Sequence, residues 1–317
     1  MNYGSVIFLG VFATFVASWW GMIFAPQLQL GSQQPKVPEG ASMAYPTLRP
    51  GVAAQGHKVY VAAGCVQCHS QQVRQQGYVF DVLLTGTTNQ QGTAKALYAL
   101  GIKDGTQLIS SATDTTPQPV RKNISQAEAN RIQKTLTDSG ATAPMLFIPI
   151  GADIQRGWGF RQSVAQDYLY ENPVQIGNSR LGPDLTNIGA RQPDAQWHLR
   201  HLYNPRIDIK GSTMPAYQYF FEKRKIGKTP SPDALKLPPE FAPAAGYEIV
   251  PKPETLRLVA YLQSLRTMTP LFEAPMTQLP QVKPAGDTNA PAGTNAPTAT
   301  NAPTPKTNSP STNTPAK

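Results

Sequence analysis

The two cysteines of this chain both lie within five residues, Cys65-Val-Gln-Cys68-His69, in the run "AAGCVQCHSQQVR". That clustering limits what the surrounding domain has to wrap. One disulfide across CxxC closes a loop too small to staple a fold. A structural zinc site needs four ligands, and there is no second CxxC. The other histidines are His57, His198 and His201. A thioredoxin-like pair calls for a βαβ context, which the neighbouring sequence does not suggest. Covalent haem c fits best. Cys65 and Cys68 would form the thioethers, and the turn that presents them would aim His69 at the iron. A redox pair and a metal knuckle remain as alternatives.

Haem c attachment calls for an oxidising compartment outside the cytoplasm, and the N-terminus is consistent with one. "SVIFLGVFATFVASWWGMIFA", Ser5 to Ala25, is mostly apolar and carries no charge. About twenty such residues cross a bilayer core as a helix. A cleaved signal peptide would normally have basic residues before a shorter apolar run. The reading here is an uncleaved anchor, with Trp19 and Trp20 marking an interface. The "MNYG" stub has no Lys or Arg to orient the span. The haem motif instead places the long C-terminal part on the periplasmic side of a bacterial inner membrane, in contact with membrane lipid.

Composition divides the rest. Residues 26–50 are rich in Pro, Gln and Gly and read as a linker. Residues 283–317 repeat Thr-Asn-Ala-Pro three times and read as a disordered tail. The net charge of +9 comes from 28 basic and 19 acidic residues. One basic cluster, "FEKRKIGK" from Phe221 to Lys228, is a solvated face or a docking patch for an acidic partner or anionic lipid. No nucleic-acid partner is expected.

The segment between linker and tail, residues 51–272, reads as helices joined by long loops. Gly56, Val59, Tyr60 and Ala63 share one helical face leading into the haem motif. Pro253 to Arg266 opens with proline and lines up Leu258, Tyr261, Leu262 and Leu265. These two helices should cross, with Gly56 allowing a close approach. Pro193 to Pro205 reads as a third helix, stopped by Asn204-Pro205. Opposite His69, Met214 in "KGSTMPAY" is the best sixth ligand, because its loop begins with glycine and is held by Pro215. Met/His ligation raises a haem's potential and leaves no open site for oxygen, so the iron-binding pair is His69 and Met214 and the expected role is electron transfer. In "GNSRLGPDLTNIGAR", Gly177 to Arg191, the Pro183 carbonyl could accept from the His69 ring and fix its tautomer.

"GCVQCHSQQVR", "SVAQDYLYENPVQIGNSRLGPDLTNIGAR", "WHLRHLYNPR" and "STMPAY" follow in that order behind one apolar span. Together they resemble the membrane-anchored mono-haem cytochrome c subunit, subunit II, of cbb3-type cytochrome c oxidases. The resemblance covers the anchor, the haem motif and about Arg156 to Arg266. It implies that Cys65 and Cys68 bind one covalent haem c, with His69 and Met214 as axial ligands. It implies packing against a catalytic haem–copper oxidase subunit, and electrons arriving from a further cytochrome c subunit or a soluble cytochrome c donor. The fold expected is mainly α: a stub (1–4), a single transmembrane helix (5–25), the linker, a class I cytochrome c-like domain and the tail.

Residues 75–155 depart from that pattern and read as a helical insertion, with Ser125 and Glu128 forming a capping box. His198 and His201 share a helix face but lack the partners of a metal site. His201, Arg74, Arg180 and Arg206 are candidates for haem propionates or subunit contacts, while Trp197 and Tyr203 read as core. Two other functions stay open: the cytochrome c subunit of a nitric oxide reductase, and a stand-alone anchored electron shuttle.

Overall fold

The computed structural model describes residues 3–38, 41–49 and 51–278. The tail expected at 283–317 lies outside the described residues, as do the first two residues of the stub. Helix α1 runs Gly4–Leu30, long and apolar enough to cross a membrane. At about 1.5 Å per residue it exceeds a hydrocarbon core of about 30 Å. It also runs beyond the expected boundary at Ala25, through Pro26. Proline has no N–H to give the helix ladder and crowds the carbonyl four residues back. A π turn at Trp20–Phe24 precedes it, with the Ala25 N–H donating to the Trp20 carbonyl five residues back. That local unwinding lets the helix pass the proline.

The segment read as a linker is strapped down. Lys36 and Tyr45 pair as an antiparallel bridge. The Tyr45 hydroxyl donates to Asp167 Oδ1 at 2.6 Å. Gln166 Nε2 donates to the carbonyls of Gln34 and Tyr45. Arg161 is buried and grips Asp167 through both guanidinium nitrogens, at 2.7 and 3.0 Å. Such a pair costs about 3–5 kcal/mol to break from one side, because the other charge stays buried. The described residues 34–38 and 41–49 are therefore tied to the folded domain rather than behaving as free chain.

Helix α2 (Gly51–Ala62) leads into the haem motif. The last long helix, here α7 (Pro253–Ser264), crosses it. The contact is backbone on backbone: a Cβ at Gly56 would sit 1.9 Å from the Arg257 carbonyl oxygen. Tyr60 and Tyr261, both fully buried, meet at 5.3 Å between ring centroids. Leu199 and Leu202 of α6 (Ala195–Tyr203) close the same core, with Phe220 and Leu258. Asp194 caps α6 by accepting from the N–H groups of Gln196 and Trp197. All three helices stand where the sequence places them.

The insertion is mixed α/β rather than helical. Strand β1 (Gly77–Leu84) is central in an antiparallel sheet, between β2 (Gln118–Ile124) and β3 (Met145–Ile150). Helices α3 (Gln90–Ala99), α4 (Gly105–Ser111) and α5 (Gln126–Asp138) accompany it. "YVFDVLL" alternates, so Phe80, Val82 and Leu84 point to one core with Leu97, Ile132 and Leu136. None of these residues belongs to the core around Tyr60. Ser125 caps α5, its hydroxyl accepting from the Glu128 N–H at 3.3 Å. The ends of the unit sit side by side: Gly77 faces Ile150, and the Gln76 N–H donates to the Ile150 carbonyl. The basic run Phe221–Lys225 forms β4, paired with β5 (Tyr247–Pro251). There Arg224 binds Glu248, and Lys223 lies over the Tyr247 ring.

Candidate functional site

Gly64, at φ +67°, breaks helix α2 in a left-handed conformation that favours glycine. A single 3-10 turn, Cys65–Gln67, follows. The N–H groups of Cys68 and His69 both donate to the Cys65 carbonyl, which gathers the three side chains at one turn. Both cysteines are free thiols and half-buried. Burial pushes the Cys65 thiol up to about 11. A thiol activated for redox exchange is shifted the other way. Among the described residues, no three His, Cys, Asp or Glu side chains are grouped to hold a metal ion. Both observations weigh against the redox-pair and metal-knuckle alternatives.

His69 faces the strap 177–186. Its Nδ1 lies 2.8 Å from the Pro183 carbonyl oxygen. A carbonyl only accepts, so Nδ1 carries the proton and Nε2 keeps the lone pair of the neutral ring. Burial favours that neutral form, opposed by the bond to Pro183 and the nearby Asp184 charge. The strap lies against the ring: a Cβ at Gly182 would meet His69 Cε1 at 2.2 Å. The Gly182 N–H donates to the Cys68 carbonyl, and the Leu185 N–H to that of Ser70.

Met214 is half-buried and packs on the core that Cys65 and Val66 also border. Its N–H is held by Ser212 Oγ at 3.3 Å. Tyr217 is anchored by its N–H to the Leu202 carbonyl. Tyr217 packs against the same core as Cys65, and burial raises the hydroxyls of Tyr217 and Tyr219. The residue types and turns offer no signal for that packing. Leu181 is 77 % exposed, and Ile209 and Tyr219 are also exposed. These apolar side chains sit on the stretches that carry Pro183 and Met214, and a flat apolar macrocycle would cover surface of this kind. The residues present fit haem.

The remaining candidates separate. His198 is a buried core histidine bonded to the Gln192 carbonyl at 2.8 Å. His201 stacks on Trp197 at 4.7 Å and lies 3.9 Å from Asp208. Its charged form is disfavoured by burial, and Asp208 works against that. Trp197 and Tyr203 are both half-buried, and Tyr203 packs edge-on against Phe221 at the margin of the core. Arg180 is committed to Asp153 and the Gln72 carbonyl. Arg74 and Arg206 are exposed.

Residues 147–237, including Pro183 and Met214, match the family described as Cytochrome C oxidase, mono-heme subunit/FixO. The match supports a place among the mono-haem subunits of cbb3-type oxidases, with haem as cofactor, the oxidase complex as assembly and electron transport as role. With the apolar helix α1, it also suggests a membrane-anchored subunit. A second likeness is of another kind. Over 87 residues the chain is 36% identical to the large ribosomal subunit protein bL12 of Pseudoalteromonas translucida, covering 26% of this chain and 69% of that protein. Over 99 residues it is 31% identical to bL12 of Sorangium cellulosum, covering 30% and 74%. Over that stretch the chain belongs to the bL12 family.

Proposed function

We propose that this chain is the electron-transfer subunit of a respiratory cbb3-type terminal oxidase. It is held by α1 in a bacterial inner membrane, with the folded part on the periplasmic side. Cys65 and Cys68 would hold one covalent haem c, and His69 Nε2 and Met214 Sδ would bind its iron. The observation that carries this reading is the His69–Pro183 bond, which leaves Nε2 free for iron and raises its basicity. Haem supplies one-electron chemistry at a potential set by ligands, burial and hydrogen bonds. The protein would fix both ligands, so that a donor cytochrome c is oxidised and the catalytic haem–copper subunit reduced without oxygen chemistry here.

Purification in mild detergent from native membranes tests this. A reduced-minus-oxidised spectrum is expected to show haem b beside haem c, with cytochrome-dependent oxygen uptake. Haem b with nitric oxide turnover and little oxygen uptake would replace the reading with a nitric oxide reductase subunit. Haem c without partner bands would leave an anchored shuttle.

We also assign most of the bL12-like stretch to the inserted unit 77–150. That unit has its own core and lies almost wholly outside the FixO-matched residues. Since Gly77 and Ile150 face each other, a short turn closes the gap. Replacing 78–149 with two glycines is expected to leave covalent haem loading and the reduced spectrum unchanged. Loss of haem in the folded variant would show the insertion to be part of the haem domain.

A further inference from the structure

Asp184 is fully buried, and its carboxylate is not one of the groups already placed at the iron. Oδ2 accepts from Ser70 Oγ at 2.6 Å and from the Gln72 N–H at 2.7 Å. Oδ1 accepts from the Thr186 N–H at 2.8 Å. Arg180 stands 4.0 Å away, itself fixed to Asp153 and to the Gln72 carbonyl. Arg191 donates to the Asp184 backbone carbonyl. A buried carboxylate is retained only when its lone pairs are satisfied and a cation is near, and both conditions hold.

These bonds join two specific segments. Ser70 and Gln72 immediately follow His69, and Asp184 immediately follows Pro183. The carboxylate therefore fastens the strap that carries the Pro183 carbonyl to the chain just behind the imidazole. The backbone pairs Gly182–Cys68 and Leu185–Ser70 set the register of this contact, but each is a single neutral bond. The charge-assisted bonds to Asp184 are the stronger tie.

We infer that Asp184 is a positioning residue that holds the Pro183 carbonyl on His69 Nδ1 and thereby tunes the iron's potential through the proximal ligand. This rests on the haem reading above. A firm Nδ1–H bond makes the imidazole a better donor and favours the ferric state. Slackening it lowers that basicity and raises the potential.

The test uses the full chain in its native complex, with Asp184→Asn and Ser70→Ala compared with the unaltered protein. Asp184→Asn cannot accept at both former oxygens, because its amide nitrogen would face either the Gln72 or the Thr186 N–H. An upward shift in the haem c midpoint is expected, with faster exchange of the His69 Nδ1 proton by NMR. Loss of a negative charge alone would also raise the midpoint, and Ser70→Ala separates the two causes. It keeps the carboxylate and removes a donor that partly neutralises it. A purely through-space effect would then lower the midpoint or leave it unmoved, whereas slackening of the strap raises it, by less than Asp184→Asn.

A rise in both variants, with faster proton exchange, supports the assignment. A loaded Asp184→Asn protein with unchanged midpoint and exchange overturns it. So does a Ser70→Ala midpoint that is unmoved or lower. If Asp184→Asn fails to load haem, the Ser70→Ala result decides alone. Unaltered protein without covalent haem would sink the haem reading itself, a result distinct from any of these.

Discussion

With Cys65→Ala and Cys68→Ala together, the chain is expected to carry no haem through a denaturing gel. No other cysteine exists to replace either sulfur. The two thiols sit on one turn, with His69 held by the same Cys65 carbonyl. Each single variant should keep one thioether, and so keep a weaker haem-stained band at the same mass. The redox-pair reading predicts something else: an unaltered chain with no haem stain, whose thiols cycle with a mild oxidant. The raised Cys65 thiol argues against that behaviour, since the thiolate is the reactive species. Haem stain surviving denaturation in the double variant would mean that the attachment is elsewhere. The core offers a control for folding, because Tyr60 and Tyr261 pack on each other.

What the sequence made legible follows the physical range of each signal. Helical periodicity is local, and it located α2 and α7, while the Asn204-Pro205 stop bounded α6. The small side chain at position 56 pointed to a close crossing, and the Arg257 carbonyl occupies that space. The "GPDL" turn foreshadowed the Pro183–His69 bond because a turn with proline leaves a carbonyl unpaired in a fixed direction. Asp184 stands in the same motif, which by itself assigns it no role. Its partners Ser70 and Gln72 lie more than a hundred residues earlier, and no local pattern reports such a contact.

The insertion shows a different limit. The Ser125 cap and a weak helical period through Ile132 and Leu136 favoured helix, and they outweighed strand β1. Yet "GYVFDVLL" is bounded by glycine and alternates its larger residues, which is the signature of a half-buried strand. Its partners β2 and β3 carry Pro119 and Pro149, which weakens any reading of them as strands. Both prolines are tolerated because β2 and β3 are the edges of a three-stranded sheet. The strapped linker was hidden for the reason that hid Asp184. Pro, Gln and Gly suggest free chain, but Tyr45 and Arg49 find their acids at Asp167 and Glu171.

Met214→His is the second change expected to have a large effect. Axial ligand identity, with the surroundings, moves haem potentials over about 0.8 V, and the thioether lies toward the high end. An imidazole donates more strongly to ferric iron, so the midpoint should fall by a sizeable part of that range. The loop favours a clean substitution. Position 214 is half-buried, its N–H is pinned by Ser212, and Pro215 fixes the chain beyond it. The core residues behind it, such as Leu202 and Phe220, are anchored independently. The other methionines of the folded part serve as controls. Met145 packs in the insertion's core, and Met268 lies exposed after α7. Met145→Leu and Met268→Leu should leave the potential where it was. With the donor pair fixed, a fall at position 214 slows electron delivery onward only if this haem lies on the path. Oxygen uptake by the complex should therefore change with the potential. A redox titration of Met214→His that overlays the unaltered protein would remove Met214 from the iron and leave the sixth ligand to be sought elsewhere.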